Sequence, residues 1–229
     1  MSSYRDIIYA KDDNNNYPSC LCDYITSRFF SEKPNGRLLD VGCSGGTHMK
    51  YFSKNGLRCK GVDLRDENVN GFEVKGCNIE KDKIPYKDNY FDYVFSKSLA
   101  EHVVNTDNFF SNVLRVLKPG GVFVCMTPDW ESQMSHFWDD YTHVHPFTVK
   151  SLRNALLING FSGAECEYFY QLPFLWNRPY LTFVPKIINA FTTQNMKWKN
   201  KNKNNGEDNK LIRFSKEKML MAYAFKGVE

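Results

Sequence analysis

The sequence has no apolar run near the roughly 18 residues that a membrane-spanning helix needs. It also has no charged leader followed by an apolar segment, so we expect neither a signal peptide nor a membrane span. The 229 residues carry a formal net charge of only +4, which is too weak to indicate a nucleic-acid-binding protein. The cysteines number seven, and most lie inside apolar segments. We therefore expect reduced core thiols in a cytoplasmic protein.

Metal-binding motifs are also missing. Cys20 and Cys22 have no second Cys or His pair at zinc spacing, and no other His, Asp or Glu cluster stands at metal spacing in the sequence. We therefore expect no metal requirement. Hydrophobic residues make up 42% of the chain, which is enough for the sizeable core of one α/β domain.

The most informative segment that is present is a glycine-rich turn directly after a short apolar strand, where residues 38–46 read LLDVGCSGG. Glycines let the backbone turn with positive φ and let a ligand approach the main chain. A helix-capable segment follows at once, and a helix start presents unpaired N–H groups. Asp63 ends the next apolar stretch, roughly twenty residues after Asp40, where an acidic residue can hold ribose hydroxyls. This order of elements predicts a nucleotide-type ligand site.

These residues resemble those of the class I S-adenosylmethionine-dependent methyltransferases, in the small-molecule branch related to the ubiquinone-biosynthesis methyltransferases. In that family the first strand ends in Asp-x-Gly-x-Gly-x-Gly. Asp40, Gly42 and Gly46 fall on this pattern, and Ser44 replaces the central glycine. Residues 84–94 are similar to the family's Leu-Pro-Phe…Phe-Asp-x-Val segment, which forms the turn into the fourth strand.

The resemblance implies S-adenosylmethionine as the cofactor and gives the motif residues their roles. Asp40 and the turn would hold its amino acid portion, Asp63 its ribose, and Asn78 with Ile79 its adenine ring. The expected cofactor-binding residues are Asp40, Gly42, Cys43, Ser44, Gly46, Asp63, Leu64, Asn78, Ile79 and Ser96. Each has a structural alternative as an ordinary turn or loop residue, and for Asn78 the two interpretations are equally good.

Residues 139–148 are the segment that we expect to lie over the methyl acceptor. They read DDYTHVHPFT and follow the fifth expected strand. In an extended segment the period of two puts His143 and His145 on one side. A histidine with a pKa near neutrality can remove a proton from a hydroxyl acceptor, so both are candidate general bases. The resemblance favours His143, and a purely structural role in shaping the loop is the alternative. We expect His102 to pack at a helix start rather than to catalyse.

The order of strands and helices predicts an α/β fold with one doubly wound, Rossmann-like, mostly parallel sheet and helices on both faces. The resemblance implies seven strands, with the last one antiparallel.

We expect residues 1–31 to form an N-terminal helical cap and residues 32–229 the S-adenosylmethionine-binding methyltransferase domain. This domain would include an aromatic insertion at 172–196 and a flexible, Lys/Asn-rich linker at 197–210. Core packing is the favoured role for the insertion, with a lid or a membrane-surface element as the alternatives.

The favoured function is methyl transfer from S-adenosylmethionine to a small-molecule, saccharide or lipid-intermediate acceptor. An inactive methyltransferase-like binding protein stays open because of Ser44 and Asn78. A nucleic-acid methyltransferase is a weaker alternative, since residues 96–99 read SKSL instead of Asn/Asp-Pro-Pro-aromatic. A nicotinamide-dependent oxidoreductase is disfavoured because the turn does not read Gly-x-Gly-x-x-Gly. The sequence indicates no oligomeric state and leaves peripheral membrane contact open.

Overall fold

The computed structural model describes residues 16–193, 196 and 209–228. Within these residues, one sheet holds eight strands in the order β3-β4-β2-β1-β5-β6-β8-β7. The strands are β1 (Arg37–Val41), β2 (Arg58–Asp63), β3 (Glu67–Val69), β4 (Phe72–Gly76), β5 (Phe91–Lys97), β6 (Leu117–Pro128), β7 (Ser162–Phe169) and β8 (Met219–Phe225).

Helices cover both faces of this sheet. They are α1 (Tyr17–Phe29), α2 (Thr47–Lys54), α3 (Thr106–Val116), α4 (Trp130–Gln133), α5 (Val149–Ile158), α6 (Pro173–Trp176), α7 (Phe183–Phe191) and α8 (Lys210–Lys216). Short 3-10 turns occur at Ala100–His102, Phe137–Asp139 and Pro179–Thr182. Apolar residues of α1 and α2 share one core cluster with the sheet, and those of α3 and α5 share a second. The predicted doubly wound fold is therefore confirmed.

The last strand lies between two others. β8 pairs antiparallel with β6 on one side and with β7 on the other, while β1, β2, β4, β5 and β6 form the parallel part. This arrangement confirms the antiparallel last strand that the resemblance implies. β5 is buried along nearly its whole length, as its apolar sequence predicts for a strand covered on both faces.

The eighth strand is an addition to the seven expected ones. Parallel strands usually need a crossover helix of a dozen or more residues. Here residues 64–71 join β2 to β4 and contain β3, which pairs antiparallel with β4. Asn70 and Gly71 both have positive φ, 53° and 82°, and so form the tight turn of this hairpin. The segment is too short for a covering helix, and the hairpin takes its place.

Of the two helix N-caps that the sequence predicts, one is confirmed. Thr148 caps α5 as predicted, since its side chain accepts a hydrogen bond from the Ser151 N–H. We expected Thr106 to cap α3, and this is wrong. Asn105 is the cap, because its side-chain oxygen accepts from the Asn108 N–H at 3.1 Å. Both residue types cap well, so the sequence alone did not separate them.

The aromatic insertion packs on the core at its start, through Trp176. The ring of Trp176 contacts the rings of Tyr17, Tyr24 and Phe169, and its indole N–H donates to the Tyr170 carbonyl. Further along the insertion, Tyr180 and Phe183 are 70% and 52% exposed. The core-packing expectation is therefore wrong for these two.

The predicted domain division and cellular location stay untested. Residues 1–15 of the expected cap and most of the expected linker at 197–210 lie outside the described residues. The division into a cap and a domain stays a prediction, although α1 contributes Leu21 and Ile25 to the main core. Among the helices that the structure describes, none is long and apolar enough to cross a membrane. The cytoplasmic location also stays a prediction.

Candidate active site

The glycine turn lies at the carboxyl end of β1, and Asp63 at the end of β2 holds it in place. One carboxylate oxygen of Asp63 accepts from the Ser44 N–H at 2.7 Å, and the other accepts from the Leu64 N–H at 2.8 Å. Ser44 has φ 49°, so it adopts the left-handed conformation that glycine would adopt more easily. The carboxylate therefore ties the glycine turn after β1 to the end of β2.

The two glycines of the turn are required by close packing as well as by their backbone angles. Gly42 has φ 76°, and a Cβ there would lie 3.2 Å from Leu99 Cδ2. Gly46 has φ 71°, and a Cβ there would lie 3.0 Å from Val69 Cγ1. The β3–β4 hairpin also binds the turn, because the Asn70 side-chain amide donates to the Gly45 carbonyl at 2.9 Å. The hairpin thus supports the glycine turn where a helix is absent.

Asp40 lies beneath the turn and is only 2% exposed. Its Oδ2 is a buried atom with no hydrogen-bond partner in the described part of the chain. Burial, and to a lesser degree the charge of Asp63, raises the pKa of Asp40 to about 8. Asp40 is therefore a buried carboxyl group that would gain from a cationic or hydrogen-bond-donating ligand group.

A cleft of about 360 Å³ opens at this end of the sheet. Its lining residues are Val41, Gly42, Val62, Asp63, Leu64, Cys77, Asn78, Ile79, Glu80, Leu99, His102 and Val103. Leu64 is 73% exposed, so it offers an apolar side chain that a flat ring can cover. Asn78 accepts from the Glu80 N–H at 3.1 Å, so its carbonyl already caps a local turn. Its interpretation as a turn residue gains support from this bond.

His143 and His145 both contact the segment that follows β5. His145 Nδ1 lies 2.8 Å from the Val103 carbonyl, and the backbone N–H groups of Val144 and His145 donate to the Glu101 carbonyl. The His143 ring lies 4.7 Å from the His102 ring, measured between centroids. Because His102 lines the cleft, this loop reaches the site from the side opposite β2.

Glu101 is a buried acid next to these histidines. Its Oε2 accepts from the Thr127 hydroxyl at 2.9 Å, and burial raises its pKa to about 7. Burial, with a smaller contribution from His143, lowers the pKa of His102. Lys97 is also buried enough for its pKa to be lowered, although Glu101 opposes this shift. Several titratable groups thus converge beside the cleft, which is typical of a catalytic centre.

A family model described as a methyltransferase domain matches residues 14–165 of the chain. The chain belongs to this family. The predictions of a class I S-adenosylmethionine-dependent methyltransferase, and of S-adenosylmethionine as its cofactor, are confirmed at the level of the family.

Two curated relatives and one solved structure illustrate the match. Phosphoethanolamine N-methyltransferase 2 of Caenorhabditis elegans is 29% identical over 159 residues, which cover 62% of this chain and 36% of that protein. Sterol 24-C-methyltransferase erg6 of Schizosaccharomyces pombe is 32% identical over 119 residues, covering 44% of this chain and 31% of that protein. The chain therefore spans about a third of the length of these relatives.

The solved structure is Haemonchus contortus phosphoethanolamine N-methyltransferase 2 in complex with phosphomonomethylethanolamine and S-adenosylhomocysteine. It superposes with a TM-score of 0.59 at 18% identity, covering 100% of this chain and 61% of that one. At this identity the likeness shows the methyltransferase fold and nothing finer.

The residues of this methyltransferase domain fit the cofactor. The unpaired Oδ2 of Asp40 suits the ammonium group of its amino acid portion. The carboxylate of Asp63, which lines the cleft, is of the kind that accepts hydrogen bonds from ribose hydroxyls. The expected residues Gly42, Leu64 and Ile79 line the same cleft. Ser44 and Gly46 shape the turn without lining the cleft.

Two expected cofactor-binding side chains point elsewhere. Ser96 is fully buried, and its hydroxyl donates to the Val41 carbonyl at 3.0 Å across the parallel strands. Cys43 is also buried, and its Sγ packs against Gly61 in β2. Neither side chain lines the cleft, and these contacts are structural. Their assignment as cofactor-binding residues stays a prediction.

Sequence reasoning missed Leu99, Val103 and the catalytic potential of Glu101 and His102. All four lie in the short turn after β5, at the sheet edge where ligands bind in such folds. His102 lines the cleft, and the expectation that it packs rather than catalyses stays a prediction.

Proposed function

We propose that this domain transfers a methyl group from S-adenosylmethionine to a small-molecule acceptor, including saccharide or lipid intermediates. When bound, the cofactor supplies an activated methyl group on a sulfonium centre. The observation that carries the proposal is a cleft lined by the glycine turn and the clamped Asp63, with the buried, unpaired Oδ2 of Asp40 beneath that turn. The relatives named for phosphoethanolamine and for a sterol support a small acceptor.

In this proposal Asp40, Asp63, Asn78 and Ile79 orient the cofactor, and the loop 139–148 covers the acceptor. Rate would come chiefly from positioning the acceptor in line with the methyl group and from excluding water. Asn78 would contribute its side-chain amide or its backbone, since its carbonyl already serves the local turn.

Proton removal, where the acceptor needs it, would be carried out by His143 or His145. Each Nδ1 lies against a backbone carbonyl, at 2.6 Å from Phe137 for His143 and 2.8 Å from Val103 for His145. Because a carbonyl only accepts, each neutral ring carries its hydrogen on Nδ1 and keeps a lone pair on Nε2. In each ring, Nε2 is therefore the atom that would accept the proton.

The test is methyl transfer from radiolabelled S-adenosylmethionine to a panel of phosphobases, sterols, phenols and sugars. We expect label to move to at least one acceptor class, and the Asp63→Asn variant to lose this activity. Tight cofactor binding without transfer to any member of a broad metabolite extract would contradict the proposed function.

A further inference from the structure

Three metal-ligating side chains meet beside the cleft. Glu101, His102 and His143 each present one ligand atom, and these atoms all lie within 4.8 Å of one another. Glu101 and His102 come from the turn after β5, whereas His143 comes from the loop before α5. The chain folding brings them together, so their spacing in the sequence gives no metal motif.

Hydrogen bonds fix the ring of His143 for ligation. Its Nδ1 lies 2.6 Å from the Phe137 carbonyl, so Nδ1 carries the hydrogen and Nε2 the lone pair. Nε2 is the atom on the side of Asp140, whose Oδ2 lies at 3.9 Å. A histidine whose other ring nitrogen donates to a carbonyl is the usual arrangement for a metal ligand.

The hydrogen-bond partners of His102 likewise show which of its ring nitrogens carries the hydrogen. The Thr142 hydroxyl has one hydrogen, and it donates that hydrogen to Asp140 Oδ1 at 2.6 Å. The 2.8 Å contact between Thr142 Oγ1 and His102 Nδ1 therefore requires the ring to donate. His102 Nε2, which lies 4.0 Å from Glu101 Oε1, is the nitrogen with the lone pair.

The third ligand is also held by its neighbours. Thr127 donates to one oxygen of the Glu101 side chain, which leaves Oε1 directed at His102. The Glu101 carbonyl accepts from the N–H groups of Val144 and His145 at 2.8 and 3.0 Å, so the two segments that supply ligands are tied together. This is a preorganised set, not an accidental contact of mobile side chains.

We propose that Glu101, His102 and His143 bind one divalent transition-metal ion of the Zn²⁺ type, with a coordination position left open beside the cleft. Two imidazoles and one carboxylate match the three-ligand sets of open zinc sites and differ from the all-oxygen sets that Mg²⁺ and Ca²⁺ prefer. Tetrahedral coordination at about 2.0–2.1 Å needs ligand atoms roughly 3.3 Å apart, so the three atoms, which now lie within 4.8 Å of one another, would move closer together on binding.

Two neighbouring charges modify the affinity. Asp140 lies against His143 and adds negative potential, whereas Lys97 interacts with Glu101 and competes with a cation for its charge. A three-ligand site in which Lys97 competes for the Glu101 carboxylate should bind Zn²⁺ more weakly than a closed, four-ligand structural zinc site. With the Nε2 lone pair of His143 bound to the ion, His145 is the one of the two histidines left to act as the base. A role for the ion in polarising an acceptor hydroxyl group rests on the proposed function, but the binding itself does not.

The test is Zn²⁺ binding by tag-free, metal-depleted protein, measured by competition with a chromogenic chelator. We expect one ion per chain, binding at least about 10-fold more weakly in His143→Ala and unchanged in His145→Ala, the matched control from the same loop. Co²⁺ substitution should give the visible d–d bands of a four-coordinate nitrogen and oxygen site without thiolate charge-transfer bands.

A second variant keeps all three ligands in place. Thr142→Val removes the hydroxyl that orients His102, and we expect binding to weaken about 10- to 100-fold. The affinity for S-adenosylhomocysteine, measured without metal on every variant, confirms folding and tests the proposed function separately. Absence of Zn²⁺ binding in the unmodified protein, or equal binding by the His143→Ala variant, would overturn the site.

Discussion

Asp40→Asn should stabilise the folded protein and weaken its cofactor binding at the same time. The folded-state pKa of Asp40 is raised from 3.8 to about 8 by burial. The folded state therefore holds a proton that the unfolded chain releases above pH 4, and stability falls as pH rises from about 4 to 8. Asparagine is uncharged at every pH and removes this loss.

The size of the effect follows from the two pKa values. One pKa unit corresponds to about 1.4 kcal/mol. Asp40→Asn should therefore raise the free energy of unfolding by at most about 4 kcal/mol at pH 7 and about 2 kcal/mol at pH 5. Urea unfolding of both proteins at the two pH values measures it. Asp139→Asn, on an exposed 3-10 turn, is the control for a carboxylate that is not buried.

Two results of the unfolding measurements would contradict this prediction. A stability gain that is the same at pH 5 and pH 7, or a loss of stability at pH 7, would refute the assignment of Asp40 as a destabilised, ligand-directed carboxyl group. Loss of the ammonium partner should weaken S-adenosylhomocysteine binding about 10-fold or more, since a charge-assisted hydrogen bond contributes about 1.5–3 kcal/mol.

Four further predictions test other parts of the site. Gly46→Ala should lower the free energy of unfolding by about 1–3 kcal/mol in urea denaturation, because its Cβ meets Val69 at positive φ. Asn70→Ala should weaken cofactor affinity several-fold in calorimetry and lower the free energy of unfolding by about 1–3 kcal/mol, because the hairpin's bond to the glycine turn is lost and alanine adopts the positive φ of this position less readily. Cofactor binding at pH 7 should release a proton from Asp40, so the binding enthalpy should vary with the ionisation enthalpy of the buffer; no variation would contradict the ammonium contact. His145→Ala should lower kcat about 100-fold for a hydroxyl acceptor at unchanged cofactor affinity, and an unchanged kcat would exclude it as the base.

The cofactor side was predictable because its signals are local. A strand, a glycine turn and a helix start form within a few residues, and the Asp63 position follows from the register of two neighbouring parallel strands. The direction of single side chains was not predictable, as Ser96 and Cys43 show. Both residues lie near the right sheet edge, yet one hydroxyl and one thiol face the interior.

The acceptor side was less predictable because it depends on long-range contacts. The pairing of His143 with His102 and Glu101 joins segments that no local pattern connects. The absence of a crossover helix after β2 was equally hidden, since residues 64–71 show a turn signal but not which strand it serves. Periodicity reports burial on one element, whereas these features depend on which elements become neighbours.

The most direct test of the central claim, that Asp63 and the glycine turn hold S-adenosylmethionine, is isothermal titration calorimetry with S-adenosylhomocysteine. The unmodified protein should bind it, Asp63→Asn should bind about 10-fold or more weakly, and Asp66→Asn should bind unchanged. Asp66 is the matched control, because it lies in the same loop and also accepts from a backbone N–H, that of Gly76. Equal affinities of the unmodified protein and Asp63→Asn, or no binding by the unmodified protein, would contradict the claim.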